Sequence, residues 1–232
     1  MKQIIIGLLI CMFSLSNAVA QYQSDNTDEL EKQIEAGLDV NTRDENGDTL
    51  FYWFLVNGDS LKPLQVLVDA GANINAPSAS DGMTPLVYAT TMAARSRAEA
   101  QNRMRGMQTA NERQIAEANM RKEIKDKLMY ALEVVRFLIE SGAEINQETP
   151  YGTPLMSAAT SDWNSEIIDY LIQSGANVNQ QDRNGRTALF YASAYDSKQV
   201  TIQLISAGAD INIQDNDGRT YMEVPLEELQ KK

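Results

Sequence analysis

Met104-x-x-Met107 sets two thioethers at helical spacing, and soft sulfur donors in that arrangement suit Cu(I). Two acidic runs, DENGD at 44–48 and DNDG at 215–218, resemble the opening of a calcium loop, but neither continues with the spaced acids and closing Glu that complete one. The rest of the chemical repertoire is short. There is no histidine, and the single cysteine, Cys11, sits in an apolar run near the amino terminus. A His-activated Ser or Cys nucleophile, a His-ligated metal and a His-ligated haem are therefore excluded, and an enzyme would have to work with carboxylates, Lys or Tyr. No pair of acids stands apart for that work, so the expectation is a non-catalytic protein. Six of the eight methionines beyond residue 20 (Met83, Met92, Met104, Met107, Met120 and Met129) share one region. Adaptable packing or partner contact accounts for them better than copper, and the reading carries no cofactor and no metal.

The elements that would position such residues must fit a chain of 232 residues, 43% apolar, enough for one core or a short repeat array. Lys2, the apolar run 4–15 and the small-x-small site Ala18-Val19-Ala20 read as a signal peptide over residues 1–20, cleaved after Ala20. The apolar run is well short of the roughly twenty residues that span a bilayer, and Ile10 is too large to precede a lipoprotein cysteine. The expected location is the periplasm, with residues 21–232 held together by packing without disulfides.

Residues 21–232 are periodic. AGLDVN (36–41), AGANIN (70–75), SGAEIN (141–146), SGANVN (174–179) and AGADIN (207–212) place Gly37, Gly71, Gly142, Gly175 and Gly208 at intervals of 34, 71, 33 and 33. A second series runs in phase: GDTLF at Gly47, GMTPL at Gly82, YGTPL ending at Leu155, GRTAL at Gly185 and GRTYM at Gly218. In each unit a Thr caps a first helix, a second run such as EIIDYLIQSG repeats apolar positions at helical spacing, and a glycine ends it. NQQDRNGR (179–186) has the turn chemistry of a hairpin-like finger leading to the next unit.

These residues resemble ankyrin repeats. Thr84-Pro85-Leu86 and Thr153-Pro154-Leu155 match the family's T-P-L motif, and the G-A-x-[IV]-N endings match its closing motif, over about Asn41 to Thr220. The resemblance implies an all-α solenoid of helix-turn-helix units with hairpin-like fingers. The His that usually follows T-P-L is replaced by Phe51, Val87, Met156 and Phe190, so apolar packing is expected in place of its polar tie to the Thr cap. Tyr151 stands where the third full unit's finger glycine is expected. The domain reading is a signal peptide at 1–20 and a single repeat domain at 21–232. That domain comprises an N-terminal half-cap at about 27–41, four full repeats at about 42–212 and a C-terminal half-cap at about 213–232.

The long interval marks an insertion at about 93–127, inside one repeat. NRMRGMQTANERQIAEANMRKE is rich in strong helix formers, and apolar positions continue into it from both flanking helices. The expectation is a helical hairpin turning near Gly106. If residues 94–106 are helical, it projects by roughly 20 Å. Residues 93–127 carry nine Lys or Arg and five Asp or Glu. Removing these and Lys2 from the totals of 20 and 32 leaves ten basic and 27 acidic residues, so a basic prong stands on an acidic array. Nucleic acid is excluded as a partner by that charge and by export, and membrane contact is disfavoured.

In ankyrin proteins fingertips and first-helix faces usually make the contacts. The resemblance thus implies partner-binding at Glu45, Asn46, Asp48, Ser80, Asp81, Met83, Pro150, Tyr151, Arg183, Asn184, Arg186, Tyr195, Asn216, Asp217 and Arg219. The prong adds Met104, Arg105, Met107 and Arg113. The expected function is a protein-protein interaction module, monomeric or in a heterocomplex with another protein. As an immunity protein it would neutralise a secreted antibacterial toxin; as an accessory it would serve a periplasmic enzyme such as catalase. Copper binding through Met and a carboxylate-based enzyme are the remaining alternatives.

Overall fold

The computed structural model describes residues 27–92, 94–95 and 110–224, leaving out the side chains of 110–118. The expected signal peptide, the turn near Gly106 and residues Met104, Arg105 and Met107 lie outside the described residues, as does the side chain of Arg113. Among the described residues the fold is helical without strands, and two isolated antiparallel bridges, Arg43 to Thr49 and Thr149 to Gly152, close fingers. The chain forms two compact units, Met1–Pro85 and Leu86–Lys232.

In the first unit, α1 (Asp28–Glu35) has acids at Asp28, Glu29 and Glu31 in its first turn, where the helix dipole favours them, and buries Leu30. The helix α2 (Leu50–Asn57) is apolar nearly all round and buries Leu50, Phe51, Tyr52, Phe54 and Leu55. Thr49 caps it, its Oγ1 accepting the Tyr52 N–H at 3.2 Å. The helix α3 (Lys62–Asp69) carries Pro63 in its first turn, where a missing N–H costs nothing, and buries Leu64 and Leu67.

The helix α4 (85–92) opens on the last residue of the first unit; in the second unit it is followed by α5 (Ala110–Glu140), α6 (Pro154–Ala158), a 3-10 turn η1 (Asp162–Asn164), α7 (Ser165–Gln173), α8 (Ala188–Ala194) and α9 (Lys198–Ser206). Consecutive pairs pack: α6 on α7, α8 on α9, α6 on α8, and α7 on both α5 and α9. The register of the second helices is set by leucine. Leu67, Leu138, Leu171 and Leu204 each lie four residues before a closing glycine, and all are fully buried. Each contributes about 1.5–3 kcal/mol of burial at the same place in its repeat. The closing glycines 37, 71, 142, 175 and 208 all have positive φ.

The helix α5 is 31 residues long against nine for α7, so it extends about 33 Å further at 1.5 Å per residue. The carboxyl-terminal part of the inserted stretch is thus helix, continuous with the second helix of its repeat. Along it Ile124, Ala131, Val135 and Leu138 are buried, Met120 and Leu128 half-buried, and Arg121, Lys122, Lys125 and Met129 exposed. At the other end, Thr220 opens no helix through residue 224. Residues 221–223 form a turn in which Glu223 Oε2 accepts the Thr220 N–H and hydroxyl at 2.7 and 2.8 Å.

Candidate functional site

The fingers are built on one acceptor. Asp44 Oδ1 takes the N–H groups of Asn46 and Asp48, Asp182 Oδ1 those of Asn184 and Arg186, and Asp215 Oδ1 those of Asp217 and Arg219, all at 2.8–3.0 Å. This is an Asx-turn extended by one residue, with a glycine at positive φ completing it. The third finger departs from that plan. There Thr149 N–H donates to Gly152 O at 3.1 Å and Gly152 N–H returns to Thr149 O at 2.9 Å. The finger is one residue shorter than the first, fourth and last, so Gly152, φ 83, does the work of Gly185 and Tyr151 becomes a true tip residue. The second finger is one residue longer, closing through Ser78 N–H to Met83 O at 2.9 Å.

The expectation of purely apolar packing beside the Thr caps needs two corrections. Thr153 Oγ1 accepts the Met156 N–H, and the Met156 sulfur accepts the Thr153 N–H at 3.3 Å, so a thioether supplies the polar tie. In the first repeat the matching residue is Tyr52, whose N–H caps on Thr49, and not Phe51. Thr187 makes no side-chain cap bond.

The sequence-named contact residues divide into three groups. Pro150, Tyr151, Arg183, Asn184 and Tyr195 come together in one groove of about 710 Å³, with Thr91, Glu148, Thr149, Gly152, Ser157, Thr160, Asp182 and Tyr191. It lies within the second unit, between the third and fourth fingers and beside α6 and α8. Glu45, Asn46, Ser80, Asn216 and Asp217 are exposed outside it, with Asp48, Asp81 and Arg219 half-buried. Met83 and Arg186 are buried and not presented at all, since Met83 packs beneath its finger and Arg186 reaches Asp215 at 3.9 Å. Several others serve the array itself: Asp48 Oδ1 accepts the Ala79 N–H at 3.0 Å, Asn216 donates to the Arg183 and Asn184 carbonyl side of the preceding finger at 2.9 Å, and Arg219 pairs with Asp215 and Asp217. At Gly185 a Cβ would come within 3.0 Å of Asn216 N and 3.1 Å of the Asp215 carbonyl carbon, so the fourth and last fingers meet backbone to backbone.

Electrostatically the groove is held by Asp182, whose Oδ2 accepts the Tyr191 hydroxyl at 2.8 Å. Burial, then the neighbouring Asp182 charge and its hydrogen bond, push the Tyr191 phenol well above its ordinary value. Arg183, 80% exposed, reaches Glu148 at 3.6 Å across the two fingers. Among the described residues no cluster of three or more acids, Cys or His is placed to hold a metal ion, and no helix is long and apolar enough to cross a membrane. Sequence reasoning missed Tyr191, Asp182 and Glu148; Asp182, at the base of DRNG, was legible as a turn residue but not as a wall of the groove.

Stacked helix pairs joined by glycine-closed fingers define an all-α repeat solenoid, and its class follows from the motifs now placed. Residues 127–215 match ankyrin repeats in three copies, and the chain carries the ankyrin-repeat fold. Among solved structures it is similar to the ankyrin repeat domain of Bcl-3, a member of the IkappaB protein family, at 21% identity and a TM-score of 0.59, covering 83% of this chain and 70% of that one. That likeness is one of fold. No curated protein matches the chain significantly.

Proposed function

We propose that the protein is a non-catalytic docking module that holds another protein in the groove between its third and fourth fingers, and that it works in the periplasm. Ankyrin repeats generally mediate protein-protein interaction, and five fingertip and helix-face residues named from the sequence, Pro150, Tyr151, Arg183, Asn184 and Tyr195, line that single groove. This convergence carries the reading. Three tyrosines, 151, 191 and 195, give it broad amphipathic contact surface of the kind that anchors interfaces. Export rests on Lys2, the apolar run and Ala18-Val19-Ala20.

The test is retention of the native partner by the purified protein and by a Tyr151→Ala, Tyr195→Ala double variant. Loss of retention supports the groove, and equal retention by both refutes it. Cell fractionation with amino-terminal sequencing of the mature chain tests export, with Gln21 the expected first residue. A secreted-toxin reading frame beside the gene would make the partner a toxin, and a catalase frame would make it an envelope enzyme.

A further inference from the structure

The direction of the groove's hydrogen bonds selects the chemistry of its occupant. Thr91 Oγ1 donates to Tyr88 O at 2.8 Å, Thr160 Oγ1 to Ser157 O at 2.8 Å, Ser157 Oγ to Tyr151 O at 3.2 Å and Tyr191 OH to Asp182 Oδ2 at 2.8 Å. A carbonyl or carboxylate oxygen only accepts, so each of these hydroxyls has committed its proton inward. What Thr91, Thr160 and Tyr191, all half-buried, turn towards the groove is oxygen lone pairs. The carboxylates of Glu148 and Asp182 lie in the same wall, together with the tyrosine rings. The side-chain donors of the two fingertips are Arg183, Asn184 and the Tyr151 hydroxyl; Arg183 is engaged by Glu148, and a phenol accepts as readily as it donates.

Resting on the docking function above, we infer that the groove takes a basic segment of the partner, presenting Arg or Lys side chains. A guanidinium or ammonium brings donors and no acceptor, which is what a surface of lone pairs, carboxylates and ring faces complements. Charge favours the same choice: the chain carries a formal net charge of −12, and the excess of acids lies outside the inserted stretch. The fold already holds guanidinium groups on tyrosine faces, Arg95 at 5.0 Å from the Tyr88 ring centroid and Arg136 at 4.5 Å from that of Tyr170. Arg183 then acts as a stand-in for the partner's cation. An incoming Arg displaces it from Glu148, and the exchange is nearly free because an ion pair this exposed is weakly held.

Fluorescence anisotropy of the purified protein with two labelled peptides, three Gly-Ser-Arg repeats and three Gly-Ser-Glu repeats, tests the inference. The arginine peptide should bind at least about tenfold tighter than the glutamate peptide at about 0.1 M salt. Glu148→Gln and Tyr195→Ala should each weaken it by about threefold or more, whereas Arg183→Ala should tighten it by a similar factor as the competing cation is removed. Glu166→Gln, exposed on α7 outside the groove, should change nothing. Equal loss in the Glu166 and Glu148 variants would mean diffuse adsorption to an acidic chain and would overturn the inference. Preference for the glutamate peptide, still sensitive to Tyr195→Ala, would also overturn it while leaving the groove as the docking site. Binding of either peptide that ignores every groove substitution would remove the groove itself.

Discussion

Asn164 is a fully buried amide that ties three elements together, and its removal should be felt across the second unit. Its Nδ2 donates to the Thr90 carbonyl in α4 at 3.1 Å and to the Ala158 carbonyl at the end of α6 at 3.0 Å, while its Oδ1 is buried with no hydrogen-bond partner. In Asn164→Ala two hydrogen bonds go, at about 1 kcal/mol net each, and two buried carbonyls lose their donors at about 1–3 kcal/mol each. Deleting the orphaned Oδ1 returns roughly as much as one of those penalties. The balance is a loss of about 4 kcal/mol, a large fraction of an ordinary domain's stability. Asn164→Asp keeps the shape but turns the donor into a charged acceptor facing two carbonyls, so it should cost more than the alanine at neutral pH. Its carboxyl would be pushed above the usual range, so that excess cost is present at neutral pH and shrinks in acid as the group protonates and regains a proton to donate. Urea unfolding followed by circular dichroism reads both, through the midpoint at constant slope. An alanine variant within about 0.5 kcal/mol of the parent, or an aspartate variant no worse than the alanine, would refute the assignment of Asn164 as the donor that satisfies these carbonyls.

Gly152→Ala should lose about 2–3 kcal/mol, since φ is 83 and the new Cβ would lie 2.7 Å from the Met156 sulfur, whereas Gly175→Ala, with φ 100 and open space around it, should lose only the backbone strain of about 1–2 kcal/mol; paired melts check the difference. Asp215 is buried against Arg186 and Arg219, and although burial opposes its ionisation, hydrogen bonds from Arg219 and Asp217 hold its carboxyl below the usual value near 3.8. Because the folded value is the lower one, its contribution to stability is fully present above pH about 4 and disappears as acid reaches the folded value, so Asp215→Asn should be destabilising at pH 7 and the deficit should narrow in acid. Tyr191 should stay neutral through an alkaline titration in which exposed tyrosines ionise, so Tyr191→Phe should leave the 295 nm absorbance change up to about pH 11 unaltered; a smaller change in the variant would contradict the buried Tyr191–Asp182 bond.

The repeat frame was readable because two independent motifs recurred in phase, and each has a local cause: glycine where φ is positive, and Thr as the residue before a first helix, which Thr49 and Thr153 cap. What escaped the sequence depends on contacts between units. Asn164 stands eleven residues before its closing glycine, where the neighbouring repeats carry Ala131 and Ser197, so its residue type was visible but its two acceptors, 74 and six residues away, were not. Met156 looked like an apolar replacement because a thioether accepts hydrogen bonds only where geometry brings a donor to it. Met83 and Arg186 read as fingertip residues by position, yet burial removes both. The glycine expected at Tyr151 was one residue along, because the third finger is short by one and the η1 turn of the same repeat is long by one. The two changes cancel, and the Gly142 to Gly175 interval stays at 33.

The asparagines that close each repeat have a consequence of their own. Asn41, Asn146 and Asn179 each donate to the carbonyl of the next closing glycine at 3.1–3.2 Å and accept the N–H two residues beyond it at 2.7–2.9 Å. Each of these three rungs therefore refers to its successor and asks of it the same backbone atoms. A gene duplication that adds one unit, or a deletion that removes one, finds a matching socket on either side of the scar. Length becomes a heritable variable that selection can adjust without redesigning the joints.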